Sequence, residues 1–600
     1  MLVDKKLFKL MLAMIVLSLV VVACAGTEQP APAEEAAAPA EEAAPAAEEA
    51  AAPAEEAAPA EEEAVAEEAG HPGYSEDRPM IVTWSRSSDP PTIDPAFGAT
   101  VSGGIEVEHN VYDTLLRYEG ETTELVPNLA ESWEVAPDAT SVTFKLREGV
   151  TFHNGDPFTA DDVKFVWERA LAAGAIPASY WEPVESIDII DDYTLTMNLK
   201  YPYAPWEGVV AGSRGMYIGP SQESVEANAT EEDPWAFDYF LDHENGTGPY
   251  MLENWERDVR IEFTKFDDYW RGWEGQHADK HVFLIIKDTA TARLMLEKGE
   301  LDIMATENVD PQLAVDLADN PDITIRRTPS FINFVMHMNM HKPPLDNPKV
   351  RQALSYVFDY QTTIDDLYLG YGNKGGISVV PSTLWPEVDG LTEYEYNLDK
   401  ARELLAEAGW EDRGSGVLTD ADGNEFPPLE HMIMDMDIRR QMTEVWMAGL
   451  RDLGIQVNPN YVTWAVNAAE MGKPVDEKPA HISGMSNWPS FVDPADVLRY
   501  FNCSEAEGGL NWAGFCNERF EELTQQALAT ADRAEREKLY AEAIQIVNEQ
   551  APVVVAAEVD MIQAYRSWVK NYQVNPGLTH VQIFYPVYIE GRPAEFDHLN

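Results

Sequence analysis

Polar and apolar residues alternate from Ser141 to Leu146, with Val142, Phe144 and Leu146 on one face, the pattern of a half-buried β-strand. Pro137-Asp138 sets a turn before it, and Gly149 and Asn154-Gly155 punctuate the chain after it. The period then changes. Thr159-Ala160-Asp161-Asp162 predicts a helix start, with the Thr159 hydroxyl available to cap free amides and two acids at the positive end of the dipole. Val163, Phe165, Val166 and Arg169 continue at mostly helical spacing.

The amino terminus follows another pattern. Lys5, Lys6 and Lys9 precede an apolar run from Leu10 to Ala23, short for a membrane span. Val21-Val22-Ala23-Cys24 closes the run and resembles a bacterial lipobox. That implies a diacylglycerol thioether on Cys24 and cleavage before it. An uncleaved anchor helix is the alternative, disfavoured by the length of the run. Both arrangements place the bulk of the chain outside the cytoplasm and hold it to the membrane, on the periplasmic side or at the cell surface. From Thr27 to Gly70 the chain is almost entirely Ala, Glu and Pro. Recurrent proline interrupts helix, and no aromatic residue is present to seed a core. This predicts an extended tether, about 35 Å long as a coil and about 135 Å if fully stretched.

Composition then narrows the function classes. The formal net charge is −63, and the tether contributes only 14 glutamates, so the folded part is itself strongly acidic. Such a surface repels nucleic acid and does not seek anionic lipid. With Cys24 assigned to lipid, Cys503 and Cys516 remain. They form either a disulfide, which an exported protein permits, or two buried thiols. The chain has no CxxC pair or dense Cys/His cluster to hold zinc. It also has no GxSxG elbow, no HExxH and no phosphate-cradling glycine loop, so neither an enzyme nor a cofactor is expected. Asp161-Asp162 reads as a helix start and Asp267-Asp268 as a solvated turn.

Taken as one block, Leu125 to Arg169 closely resembles the signature region of family 5 extracytoplasmic solute-binding proteins. That family includes oligopeptide-, dipeptide-, nickel- and some oligosaccharide-binding components of ABC importers. Ile93-Asp94-Pro95, Asn110 to Leu116, Gly246-Thr247-Gly248-Pro249-Tyr250 and Phe266 to Trp270 carry the likeness onward. So do Arg293, Gly299-Glu300-Leu301-Asp302, Pro343-Pro344-Leu345-Asp346 and Val350 to Leu354. Asp399-Lys400-Ala401 through Ala408-Gly409, Asn517 to Leu523 and the amphipathic run Arg533 to Glu549 complete it. The resemblance spans roughly Ile81 to Val587.

It implies an α/β fold: a two-lobed periplasmic-binding-protein clamp, type II-like and of cluster C, with an extra inserted domain and a hinge between lobes. The implied layout is a signal peptide over residues 1-23 and a lipidated tether over 24-70. Lobe I comprises 71-111, 237-306 and 564-600, with inserted domain II over 112-236 and lobe III over 307-563. Crossings near Thr306 and near Gln563-Ala564 form the hinge. The implied function is a monomeric receptor that captures a solute, foremost an oligopeptide, and delivers it to an ABC permease with its ATPase. An oligosaccharide receptor and a sensor for a signalling partner are the alternatives.

In peptide-binding relatives an aspartate shortly before an Asp-Pro pair receives the peptide amine. Counting back from Asp493-Pro494, that position is Ser490. Trp488 and Phe491 instead offer flat apolar surface for a sugar face or a side chain. Trp385, Asn339 and Trp464 are the further ligand-binding expectations, ahead of Trp84 and Trp512. On a strand, His337, Asn339 and His341 share a face. Two histidines without a third ligand do not make a metal site, and none is expected.

Overall fold

Two long runs rich in β-branched residues, Ile323–Met338 and Val553–Arg566, pair antiparallel along most of their length. They form the middle of an 11-stranded sheet, in which the short strand Gly372–Lys374 pairs with Val553–Arg566 off the main path. The structure, a computed structural model, describes residues 79–98, 104–212, 214, 216–306, 309–487, 489–506, 509–578, 581–593 and 596. The expected signal peptide, Cys24 and the tether lie outside the described residues, as does Trp488.

On one side of the central pair stand Ile303–Met304, Ile81–Arg86 and Lys280–Ile285, mutually parallel, then Arg260–Lys265 and Tyr250–Glu256 as an antiparallel edge. On the other stand Ile482–Asn487, Leu429–Met434 and Val457–Val462, again mutually parallel. We call these halves lobe I and lobe III. Each is mixed α/β. Register fixes their orientation. Ile303–Met304 runs antiparallel to the Ala564–Tyr565 end of the central pair, and Ile482–Asn487 antiparallel to its Asn333–Met338 end. The carboxyl ends of both parallel sets therefore point toward the middle. There the central ladder is interrupted between Pro329 and Ile332.

A separate four-stranded antiparallel sheet, ordered Ala130–Val135, Ser141–Leu146, Thr194–Leu199, Val184–Asp191, lies within the segment expected as an inserted domain, and we use that name for it. The strand expected over Ser141–Leu146 is present, with Val142, Phe144 and Leu146 buried. The predicted helix runs Ala160–Ala173. Its Asp162 carboxylate accepts from the Thr159 amide at 2.9 Å and from the Thr159 hydroxyl at 3.1 Å, closing the first turn on itself. Val163 and Val166 face the core, and Arg169 leaves the helix to pair with Asp94 through two bonds of 2.7 and 2.6 Å, both groups buried. The run predicted after Asp399 is the helix Leu398–Glu407, followed by Gly409 at φ 92°, the left-handed conformation a glycine stop supplies. Arg533–Gln550 is the long helix expected there. Cys503 and Cys516 are joined as a disulfide. Among the described residues, no helix is long and apolar enough to cross a membrane.

His153 ties the inserted domain to the segment that returns to lobe I. Its Nδ1 lies 2.7 Å from Glu244 and its Nε2 2.9 Å from the Gly248 carbonyl oxygen. Burial disfavours the imidazolium, but the Glu244 carboxylate outweighs it and the pKa stands above its usual 6.5. A folded-state pKa above the unfolded one means the pair stabilises fully below about 6.5 and loses that contribution as pH rises through the folded value. Urea unfolding from pH 6 to pH 9 should therefore show wild type losing stability that His153→Gln does not lose. Parallel pH profiles would contradict this assignment.

Candidate functional site

In open α/β sheets, ligands bind beyond the carboxyl ends of the parallel strands, where loops and helix starts converge. Here both lobes direct those ends at the same place. On the lobe III side the strands end at Met434, Val462 and Asn487, and helices begin at Asp437 and Trp464. On the lobe I side lie Arg86, Ile285 and Met304. Met304 pairs with Ala564 beside the positions expected for the crossings, whereas the break in the ladder lies further along, at Pro329–Ile332.

The inserted domain closes on this edge from one side. Ser490, which stands at the position of the expected acid, is 3% exposed. Its hydroxyl lies 2.8 Å from Tyr180 Oη of the inserted domain. Tyr118 Oη accepts from the Val492 amide at 3.0 Å and donates to the Gly208 carbonyl at 3.2 Å. Phe491 is buried in the apolar cluster of the inserted domain, with Leu116, Trp206 and Val209, although it belongs in sequence to lobe III. The Ala204 amide reaches the Leu528 carbonyl at 2.7 Å. Ser490 and Phe491 are thus packed between the inserted domain and lobe III.

The acids after Ser490 are engaged by the chain. Asp493 accepts from Arg536 at 2.7 Å and Tyr540 at 2.9 Å, and Asp496 pairs with Arg499 at 2.9 Å. Burial raises the Asp493 pKa, and Arg536 works against that rise. Trp385 belongs to this cluster: its half-buried ring lies 5.7 Å from Tyr540 and 4.6 Å from the Arg533 guanidinium. Asn339 is buried and tied into a turn, donating to the Val475 carbonyl at 3.1 Å and accepting from the His341 amide at 3.0 Å. Trp464 is 57% exposed at the first turn of its helix, on the carboxyl-end edge. Trp84 is fully buried in lobe I, its indole donating to His281 at 2.9 Å. The strand ends at Met338, so His341 does not share its face with His337 and instead contacts Asp476 at 2.6 Å.

Arg439 was not expected. It lies in the first turns of the helix Asp437–Asp452, half-buried, with its guanidinium donating to Ser486 Oγ at 3.2 Å and set 5.4 Å from the Phe334 ring. No carboxylate among the described residues is paired with it, and burial lowers its pKa. A guanidinium stays charged under these conditions and presents a planar fork of donors. Such a group at a strand-end edge suits a carboxylate brought by a ligand. The local sequence DIRRQM reads as an ordinary exposed helix start, so only tertiary placement singles Arg439 out.

The two sides approach closely at Gly212. A Cβ there would lie 2.7 Å from the Ser490 carbonyl oxygen, and the Gly212 φ of −72° is open to any residue. Gly212→Ala should therefore push the inserted domain from lobe III without straining the backbone. The expected readout is a larger radius of gyration by small-angle scattering; an unchanged radius would mean the contact tolerates the methyl.

The chain matches the family described as bacterial extracellular solute-binding proteins, family 5 middle region, over residues 124–509. The dipeptide-binding protein of Escherichia coli (strain K12) is 29% identical, covering 78% of this chain and 87% of that protein. Heme-binding protein A of Haemophilus influenzae is 30% identical, covering 80% and 87%. Among solved structures, the periplasmic binding protein DppA of Helicobacter pylori in complex with the peptide STSA superposes with a TM-score of 0.71. It is 26% identical and covers 86% of this chain and 99% of that one.

Proposed function

Because this chain belongs to the family 5 extracellular solute-binding proteins of bacteria, and is thereby a binding component of an ABC transporter rather than an enzyme, we propose that its solute is an oligopeptide held between lobes I and III. The observation that carries the peptide reading is Arg439, a half-buried guanidinium without a carboxylate partner among the described residues, at the edge where the strand ends meet. A peptide carboxyl terminus complements it with two parallel charge-assisted hydrogen bonds. Relatives named as dipeptide-binding and as peptide-bound point the same way.

The amine end is recognised differently. Ser490 carries no charge, and Asp493 and Asp496 are already paired with arginines. A buried ammonium needs a counter-charge. The amino terminus therefore rests where water reaches it or against another group, and main-chain hydrogen bonding holds the middle of the peptide. The missing acid also favours a second reading, an oligosaccharide stacked on exposed Trp464 and on Trp488. Closure rests on the central ladder, with bending at the Pro329–Ile332 break and the Tyr180–Ser490 and Tyr118–Val492 bonds forming as the lobes meet. Lipid on Cys24 and the tether hold the receptor beside its permease.

Calorimetric titration of the full chain with short peptides, their carboxyl-terminal amides and matched oligosaccharides tests this. Peptides with a free carboxylate should bind. Arg439→Met should weaken them by about tenfold or more, the worth of a hydrogen bond to a charged group, and leave the amides unaffected. Heat with sugars alone would replace the peptide reading with the oligosaccharide one.

A further inference from the structure

Side chains alternate along the lobe III sheet, so Phe334 and Ser486 share one face with Arg439 while Asn333, His337 and Asn487 lie on the other. On that second face stands a buried polar cluster. His337 is 1% exposed, Asn487 1%, Lys478 5% and Trp512 2%. The His337 ring is 5.6 Å from the Trp512 ring, and Lys478 Nζ is 5.9 Å from the Trp512 centroid. Asn487 faces the His337 imidazole. Lys478 Nζ and Trp512 Nε1 are buried without a hydrogen-bond partner, and His337 and Asn487 meet only each other, without a well-aligned bond between them.

Buried polar groups are ordinarily paired, and an ammonium and an indole N–H without acceptors, beside a poorly satisfied His–Asn pair, call for an occupant. The inventory says which kind. Lys478 offers three N–H donors, Trp512 one, Asn487 two, and a neutral His337 one. Burial, then the Lys478 charge, pushes His337 down to about 3, so it stays neutral. Burial alone pushes Lys478 down to about 8, with no carboxylate acting on it. The cluster therefore carries one positive charge, seven donors and little to accept them. Water can satisfy the donors but supplies no counter-charge, and an uncompensated buried ammonium is costly.

We propose that Lys478, Trp512, Asn487 and His337 form a closed pocket in lobe III that binds a compact monoanion, chloride or the carboxylate of a small acid such as formate. Arg439 lies on the opposite face, so the pocket stands apart from the peptide reading. Bound there, the anion stabilises lobe III in proportion to its free concentration.

The test is thermal unfolding of the full chain at constant ionic strength, with gluconate, too bulky for a closed pocket, progressively replaced by chloride in one series and by formate in another. The wild-type midpoint should rise with the logarithm of the added anion. Lys478→Met should give a flat line, whatever its absolute midpoint after loss of a buried charge. Trp512→Phe keeps the ring and removes the N–H, so its rise should begin at about tenfold higher anion concentration. This variant carries the test should Lys478→Met fail to fold. A rise with chloride alone identifies a halide site, and a rise with formate alone a carboxylate site. Equal slopes in wild type and Lys478→Met, or a flat wild-type line, would overturn the proposal.

Discussion

The antiparallel ladder between Ile323–Met338 and Val553–Arg566 is the constraint on which the rest depends. Each strand belongs to both lobes, so neither half of the sheet can be assembled without the other. Antiparallel pairing to this ladder orients the parallel strands of lobe I upward and those of lobe III downward, and so aims both sets of carboxyl ends at one gap. The gap coincides with a loss of register in the ladder from Pro329 to Ile332, and a second shift follows between Phe334 and Val335. Proline has no amide to donate, and the Ser330 hydroxyl bonds the Val559 carbonyl there. One pair of strands thus carries both lobes and the break between them.

Charge is distributed to the same end. Lysines and arginines number 42 against 105 acids, yet Arg86, Arg169, Arg351 and Arg566 are among the largest fully buried side chains. Arg86 pairs with Glu106, Arg169 with Asp94 and Arg592 with Asp302, each bond joining two separate elements of the chain. A buried pair contributes little net stability over an apolar pair of equal volume, but loss of one member leaves a buried charge. With acids outnumbering cations, exposed Lys and Arg such as Lys287, Arg402 and Lys538 are each matched to a neighbouring carboxylate, and most of the remaining surface charge is negative. Arg439 and Lys478 differ from these arginines: both are substantially buried, and neither has a carboxylate partner among the described residues.

Local pattern made much of the scaffold legible. The Ser141–Leu146 strand, the Thr159 helix start and the glycine stop after Leu398–Glu407 are set by near neighbours in sequence, and their residues announce them. The extent of the family likeness conveyed the clamp. The site was less legible because its contacts join residues far apart. Tyr180 meets Ser490 across 310 positions and Tyr118 meets Val492 across 374, with no periodicity to link them. The ligand-binding expectation at Asn339 goes with a strand running through it. The strand stops at Met338, and Asn339 instead organises the turn beyond. Nothing in the sequence singles out Arg439, because a helix start rich in charge is ordinary, and only the lack of a carboxylate partner among the described residues makes it informative.

The proposed function requires that a solute be held by bringing two sheet edges together. The most direct measurement is the distance, by pulsed electron paramagnetic resonance, between spin labels at exposed Glu185 in the inserted domain and exposed Glu518 in lobe III. Adding a peptide that binds should narrow the distribution to the single short distance at which the Tyr180–Ser490 contact is made. A distribution unchanged by a bound peptide would contradict closure around the ligand, and with it the central claim.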